Sequence, residues 1–213
     1  MDIQHLKKLC SQGEGLYLEF KKKANFPEKI AKEMVAFANT QGGLLLLGVD
    51  DDGNVSGTRD IAGEVFVMEQ TIEKLIWPKL EYSLQILKIN EKKGVAVFDI
   101  AKGHKLPLQL KETSHDKAGK AYVRSGDQSL QASKEMCEIL KRRAKEKDTQ
   151  FTFGDKERKL MELLDENNSI TLSDYAKSAK LSKFMASRTL IKLVLANVLD
   201  IRPQEGEDLY FRK

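Results

Sequence analysis

The sequence lacks the residue patterns of disulfide-bonded secreted proteins and of zinc proteins. It has two cysteines, Cys10 and Cys137, which are far apart in the chain and form no pair with metal-ligand spacing. We interpret both as reduced thiols that pack in the interior of a cytoplasmic protein. The three histidines also lack ligand spacing and partner cysteines, which argues against a zinc site; they are His5, His104 and His115.

Long apolar runs are missing as well. No stretch approaches the roughly 20 apolar residues that a membrane-spanning helix needs, and the mean hydropathy is -0.44. The first residues, from Met1 to His5, have neither the basic segment nor the apolar segment of a secretory signal. We therefore expect a cytoplasmic protein that has no membrane partner.

A phosphate-binding loop of the P-loop type is absent from the sequence. No Gly-x-x-x-x-Gly-Lys-Ser/Thr motif occurs, and Gly42-Gly43 follows a predicted helix and precedes a predicted strand. That order is the reverse of the strand, loop and helix that present a helix N-terminus to a phosphate. The glycine pair more simply ends the helix, so we expect no nucleotide and no other resident cofactor.

The charge balance is mildly basic. The chain has 36 lysines and arginines against 32 aspartates and glutamates, a net charge of +4, and its isoelectric point is about 8.9. This balance is compatible with a nucleic-acid partner but does not require one. Basic residues cluster at 21–23 and at 141–147. Such clusters are most often solvated surface, so charge alone leaves both phosphate binding and a plain surface open.

The first two thirds of the chain predict an α+β fold. Alternating apolar residues indicate a half-buried strand at 16–21, and Pro27 begins a helix that runs to about Asn39. The apolar run at 44–49 predicts a central strand, followed by a hairpin turn at Asp52-Gly53. The remaining predicted elements are a helix at 61–77, strands at 83–89, 94–100 and 121–124, and a helix capped by Ser133. Because helices and hairpins are interleaved, we predict a mixed sheet rather than a doubly wound parallel sheet.

The C-terminal part follows the order of a winged helix-turn-helix domain. A change in composition near residues 145–154 indicates a linker, which gives predicted domains of 1–147 and 155–213. An amphipathic helix, a short helix capped by Ser173, a turn and a third helix capped by Ser182 come next. Two short strands then flank a polar loop, as in a two-stranded wing.

Several motifs occur in the order of a known domain. They are EGLYLEFK at 14–21, AFANTQGG at 36–43, LGVDD at 47–51, AYVRSG at 121–126 and AS at 132–133. With these motifs, roughly two thirds of the chain resemble the Schlafen/AlbA-type DNA-binding domain, also called divergent AAA. The resemblance implies a bacterial-type protein with a C-terminal winged helix that binds DNA as a transcription regulator.

The same resemblance implies a second chemistry, because vertebrate Schlafen proteins with this core include endoribonucleases with three carboxylates. By motif these acids correspond to Glu14, Glu19 and Asp51, whose oxygens would hold Mg²⁺ or Mn²⁺. Lys21 lies one strand step beyond Glu19 on the same face, where it can meet a phosphate. The alternative is structural: residues 50–53 also form an ordinary hairpin turn, and Glu19 with Lys21 an ordinary charge pair. The ribonucleases clasp RNA between duplicated lobes, so a single-copy chain would need to dimerise.

The third C-terminal helix offers another candidate surface. Opposite its apolar stripe, the residues predicted to bind nucleic acid are Lys183, Ser187, Arg188 and Lys192. Such a helix can enter a major groove with Arg188 at a guanine edge and the lysines at phosphates. The N-terminal residues predicted to bind nucleic acid are Lys21, Lys22, Lys23 and Arg124. Charge opposes this hypothesis, because residues 155–213 hold 11 basic and 10 acidic residues, a net of +1, and the loop at 204–208 is acidic.

Three functions therefore remain open from the sequence. The first is a non-catalytic DNA-binding regulator that acts as a homodimer, since a symmetric dimer doubles a weak charge footprint and matches a two-fold site. The second is an endoribonuclease that depends on Mg²⁺ or Mn²⁺. The third is an assembly module whose winged helix binds protein.

Overall fold

The computed structural model describes residues 1–145 and 153–213. These residues form two compact units, Met1–Gln131 and Ala132–Lys213. Most of the linker predicted at 145–154 lies outside the described residues.

The first unit is built on a mixed four-stranded sheet. Its elements in chain order are α1 (Ile3–Cys10), β1 (Leu18–Lys21), α2 (Pro27–Asn39), β2 (Gly43–Leu47), α3 (Ile61–Leu75), β3 (Ile76–Trp77), β4 (Tyr82–Asn90), β5 (Lys93–Ile100), β6 (Gln109–Leu110), β7 (Tyr122–Ser125) and β8 (Gln128–Gln131). The sheet has the order β1-β2-β5-β4, in which β1 is parallel to β2 and the other pairs are antiparallel. Short ribbons pair β3 with β6 and β7 with β8. The predicted α+β class and mixed sheet are confirmed.

The central strand β2 is apolar because both of its faces are covered. Leu46 packs in the core that contains Leu6 of α1, whereas Leu45 and Leu47 pack in the core that contains α2 and α3. A strand buried on both faces shows no alternation of apolar and polar residues. Helix α1 was not predicted; Asp2 caps it by accepting a hydrogen bond from the His5 amide at 2.8 Å.

The predicted end of α2 at Asn39 is also confirmed. Gly42 has a positive φ of 81°, which favours glycine, and its amide donates to the Phe37 carbonyl at 2.8 Å. A Cβ atom at this position would lie 2.6 Å from the Ile100 carbonyl oxygen. Glycine therefore both ends the helix and lets the chain pass close to β5.

The second unit follows the element order expected from the sequence. It contains α4 (Lys134–Arg143), α5 (Asp155–Asn167), β9 (Ser169–Ile170), α6 (Leu172–Ser178), α7 (Lys183–Leu195), β10 (Leu199–Arg202) and β11 (Leu209–Arg212). The hairpin β10-β11 extends through β9 into a three-stranded sheet of order β10-β11-β9. The predicted cap of α6 was wrong: Thr171, not Ser173, accepts the hydrogen bond from the Asp174 amide at 3.1 Å.

Helix α4 belongs to the second unit, which differs from the predicted domains of 1–147 and 155–213. The physical reason is packing, because Ile139 is fully buried in the core of the second unit. Two polar contacts accompany it: Ser187 of α7 donates to Glu135 at 2.7 Å, and Ser133 is hydrogen-bonded to Asp208. Ser133 also caps α4, as predicted, by accepting from the Met136 amide at 2.9 Å.

None of the helices in residues 1–145 and 153–213 is both long enough and apolar enough to cross a membrane.

Candidate carboxylate cluster and nucleic-acid interface

A buried ionic cluster in the first unit centres on Arg124 of β7. Its side chain has no exposed surface, and Nη1 lies 3.0 Å from Glu19 Oε2 and 2.9 Å from Glu33 Oε2. Nη2 donates to the Gly15 carbonyl, and the guanidinium lies 4.7 Å from the centre of the Phe37 ring. One cation therefore joins β1, α2 and the segment before β1. Arg124 was predicted to bind nucleic acid, but in this position it does not reach the surface.

The AFANTQGG motif holds β7 in place beside this cluster. The Asn39 side chain donates to the Tyr122 carbonyl at 2.9 Å and accepts from the Leu108 amide at 2.7 Å. The Thr40 hydroxyl accepts from the Arg124 amide at 2.9 Å. The buried Asn39 amide and the half-buried Thr40 hydroxyl are thus satisfied by backbone groups from distant segments, as buried polar groups require. This motif positions Arg124 rather than contacting a ligand.

Two of the three predicted catalytic acids meet at Lys21. Its ammonium group pairs with Glu19 and lies 3.9 Å from Glu14 Oε1, and Glu14 also accepts from the Phe20 amide at 2.7 Å. Burial raises the pKa of Glu14, and the negative charges of Glu19 and Asp51 raise it further. Glu14, Glu19 and Lys21 therefore do lie together, as expected.

Asp51 lies in the turn after β2, where its charge acts on Glu14 without a direct contact among the hydrogen bonds and ion pairs of the described residues. The turn is closed by the Gly53 amide, which donates to the Asp50 carbonyl at 2.9 Å. Within the described parts of the chain, no hydrogen bond or ion pair joins Asp51 to Glu14 or Glu19. Its neighbour Asp50 pairs instead with Lys22 at 2.9 Å, which lowers the pKa of Asp50 and raises that of Lys22.

The carboxylates as they stand do not form a Mg²⁺ or Mn²⁺ site. Among residues 1–145 and 153–213, no group of three or more histidines, cysteines, aspartates or glutamates could hold a metal ion. Glu19 is nearly buried, and its two oxygens already contact Lys21 and Arg124. A metal ion that binds Glu19 would have to displace both cations from its carboxylate. The two buried charge pairs would then be lost, which opposes metal binding.

The predicted binding residues of α7 lie on different parts of its surface. Lys183 and Arg188 are exposed, and Lys192 is half-buried. Ser187 is instead held by Glu135 of α4. The surrounding segment is strongly basic: residues 175–199 contain no acidic residue, and their basic residues are Lys177, Lys180, Lys183, Arg188 and Lys192.

Two apolar side chains on the first turn of α7 were missed by the sequence analysis. Phe184 is 67% exposed and Met185 is 38% exposed. The Arg188 guanidinium lies 5.5 Å from the centre of the Phe184 ring, one helical turn away. The signal that identifies Phe184 is its offset of two residues from buried Ala186, which turns it about 200° around the helix.

Two acids of the loop between β10 and β11 are held by hydrogen bonds within the second unit. Glu207 is bonded to the amide and hydroxyl of Ser173, and the hydroxyl bond is the main cause of its lowered pKa. Asp208 is buried and bonded to Ser133, and this burial raises its pKa. Two of the three acids expected to repel a DNA backbone are therefore held within the unit.

Comparisons with known proteins identify the N-terminal part of the chain. Residues 14–133 match the family model described as Schlafen, AlbA_2. No curated protein matches the chain.

Two solved structures match the chain at low sequence identity. The N-terminal domain of a RecG-related protein from Nitrosomonas europaea is 19% identical, with a TM-score of 0.43 over 62% of this chain and 94% of that one. The DIP2311 protein from Corynebacterium diphtheriae is 15% identical, with a TM-score of 0.50 over 99% of this chain and 49% of that one. This chain thus spans about half the length of the Corynebacterium protein, and that likeness concerns the fold alone.

Proposed function

This chain belongs to the Schlafen, AlbA_2 family, and from that premise we propose that it is a nucleic-acid-binding protein that acts as a DNA-binding transcription regulator. One observation carries the proposal: the segment 175–199 has five basic residues and no acidic one, although residues 155–213 have a net charge of only +1. Within residues 155–213, the positive charge is therefore concentrated around α7. A concentrated basic surface is the electrostatic footprint of a DNA-binding element.

The lack of carboxylate partners for these basic residues, among those that the structure describes, supports the same function. Within the described residues, no carboxylate forms an ion pair with Lys177, Lys180, Arg188 or Lys192, whereas some basic residues on other elements of the unit are paired. Examples are Lys159 with Glu162 at 3.0 Å and Arg212 with Asp165. An unpaired lysine can meet a phosphate without first breaking a charge pair. We assign Arg188 to a guanine edge and the lysines to the DNA backbone.

The element order of the second unit supports a winged helix-turn-helix with α7 as the recognition helix and β10-β11 as the wing. In such domains the N-terminal residues of the recognition helix contact base edges, which is where Lys183 lies. We further propose a cytoplasmic homodimer, because two copies related by a two-fold axis would double the footprint of one α7 and match a palindromic site.

Paired variants of α7 test this function. In the preferred duplex, Arg188→Ala should weaken binding by about 1–3 kcal/mol and relax specificity at one position, because a bidentate guanine contact is lost. Lys192→Ala should weaken binding evenly across sequences. Lys159→Ala on α5 is the matched control and should leave the affinity unchanged. Fluorescence anisotropy with labelled duplexes measures all three.

Sedimentation on the same variants separates regulator from assembly module. If Arg188→Ala leaves DNA binding unchanged but shifts the monomer–dimer equilibrium, α7 binds protein and the proposed function is wrong.

The endoribonuclease remains the alternative, because Lys21 brings Glu14 and Glu19 together on β1. Incubation of labelled tRNA and duplex DNA with Mn²⁺ or with EDTA, followed on one gel for shift and cleavage, distinguishes the two functions. Cleavage that needs Mn²⁺ and disappears in Glu14→Gln would favour the nuclease. Shift without cleavage would favour the regulator.

A further inference from the structure

We propose that Phe184 recognises the methyl group of a thymine close to the guanine that Arg188 contacts, so that the second unit prefers duplex sites with these two bases within about two base pairs. This inference rests on the proposed function and deepens it. It assigns a specificity-determining role to a residue that carries no charge and no hydrogen-bonding group.

The exposure of Phe184 is the first observation behind this proposal. The ring is 67% exposed, although the same helix buries Ala186, Leu190 and Val194 completely. Burying a phenylalanine side chain is worth about 1.5–3 kcal/mol relative to leaving it in water. An exposed aromatic residue on the first turn of this helix is therefore available to a ligand rather than to the core.

The surroundings of Phe184 indicate which ligand it contacts. Exposed Met185 adjoins it, Arg188 contacts its ring, and Lys180 and Lys183 are the basic residues that precede it in the sequence. Two exposed apolar side chains thus lie among basic residues on a segment without acidic residues. Duplex DNA presents the matching pattern in its major groove, where the thymine methyl is the apolar group and phosphates line both edges.

The position of Arg188 fixes the register between the two contacts. Its guanidinium lies 5.5 Å from the Phe184 ring centre, so the two side chains already contact each other in the free protein. Four residues along a helix span about 6 Å, and successive base pairs are about 3.4 Å apart. A helix lying in the groove with Arg188 on guanine therefore brings Phe184 to a base within about two pairs.

One face of the Phe184 ring is covered by the guanidinium, which limits how the ring can bind a base. A methyl group needs only contact with the ring edge or the remaining face. Intercalation between unstacked bases would require both faces, so the geometry favours the methyl contact in an intact duplex.

The experiment uses the full chain and two pools of short duplexes with a randomised centre. One pool contains thymine, and the other contains uracil, which differs only by lacking the methyl group. Wild-type protein should enrich sites with thymine within two pairs of a guanine. Replacing that thymine with uracil in the selected duplex should weaken binding about fourfold, which corresponds to about 0.8 kcal/mol for one buried methyl group.

Two variants complete the test. Phe184→Ala should bind the thymine and uracil duplexes equally, because it has no ring to contact the methyl. The matched control is Phe153→Ala, since Phe153 is another exposed aromatic residue of the second unit, and this variant should keep the fourfold preference. Circular dichroism on each variant verifies that it is folded before its binding is compared.

Each other outcome overturns the inference in a distinguishable way. Failure to bind either pool would sink the proposed function together with this inference. Binding of both pools with equal affinity by wild-type protein would refute methyl recognition and leave the DNA-binding function standing. Tighter binding to single strands than to duplexes would show that Phe184 stacks on bases instead.

Discussion

Removing the Arg124 side chain should strongly destabilise the first unit. In Arg124→Met, a fully buried cation is replaced by an apolar side chain of similar length, while Glu19 and Glu33 stay in place. Breaking a buried ion pair by removing one partner costs about 3–5 kcal/mol, because the remaining charge is left uncompensated. Here Lys21 still pairs with Glu19 and Lys32 lies 3.7 Å from Glu33, so we expect the lower part of that range.

The measurement is urea unfolding followed by circular dichroism and by the fluorescence of Trp77, the only tryptophan and a residue of the first unit. With a slope of about 1–3 kcal/mol per molar urea, a loss of about 3 kcal/mol lowers the midpoint by roughly 1–3 M. Lys120→Met is the matched control, since Lys120 forms an exposed pair with Glu112 at 2.8 Å in the same unit. We expect no measurable shift of its midpoint.

A double variant tests the stated cause of the destabilisation. In Arg124→Met with Glu19→Gln, the nearly buried carboxylate is neutral, so part of the lost stability should return. If Arg124→Met lowers the free energy of unfolding by less than about 1 kcal/mol, or if the double variant is as unstable as the sum of the two single ones, the argument from uncompensated charge is wrong.

Three further predictions concern the second unit. Because burial raises the pKa of Asp208 above its unfolded value, the folded state binds more protons, so stability should fall as pH rises from about 4 through the folded pKa, and Asp208→Asn should remove this fall in urea titrations across pH. Ile139→Ala should lower the free energy of unfolding of the second unit by about 2–5 kcal/mol and leave the Trp77 transition of the first unit unchanged. If it destabilises the first unit instead, α4 belongs to the N-terminal domain. DNA affinity should fall with salt at a log–log slope of about -3 to -4 if four lysines meet phosphates, and a flat response would contradict backbone contacts.

The elements of the fold could be predicted from the sequence because their signals are local. Pro27 marks the start of α2 and Gly42 marks its end, both within a few residues of its apolar stripe. The apolar run of β2 identifies a strand without knowledge of its neighbours in the sheet. The domain assignment of α4 could not be predicted in the same way. Its apolar residues indicate a helix, but only the tertiary structure shows that Ile139 packs with the core of the second unit.

The role of Arg124 was hidden from the sequence for the same physical reason. Its carboxylate partners, Glu19 and Glu33, lie 105 and 91 residues away along the chain. Periodicity within β7 says only that one side chain faces inward and the next faces outward. The packing of α2 and β1 against the β7-β8 ribbon decides which side chain contacts the two acids. Local sequence does not contain this information, so it predicts a surface position for an arginine near a strand end.

The state of each cation decides which unit is better suited to bind a polyanion. In the first unit, Lys21, Lys22 and Arg124 already hold carboxylates, so a phosphate would have to compete with an existing charge partner. Around α7 the basic residues have no such partner among the described residues except for the charge of Glu207 near Lys183. Neutralising a DNA phosphate releases counterions, which favours binding. A cation without a carboxylate partner gains this without first breaking a charge pair. These contacts favour α7 over Lys21, Lys22 and Arg124 as the surface for the proposed DNA binding, because those three residues already hold carboxylates of the first unit.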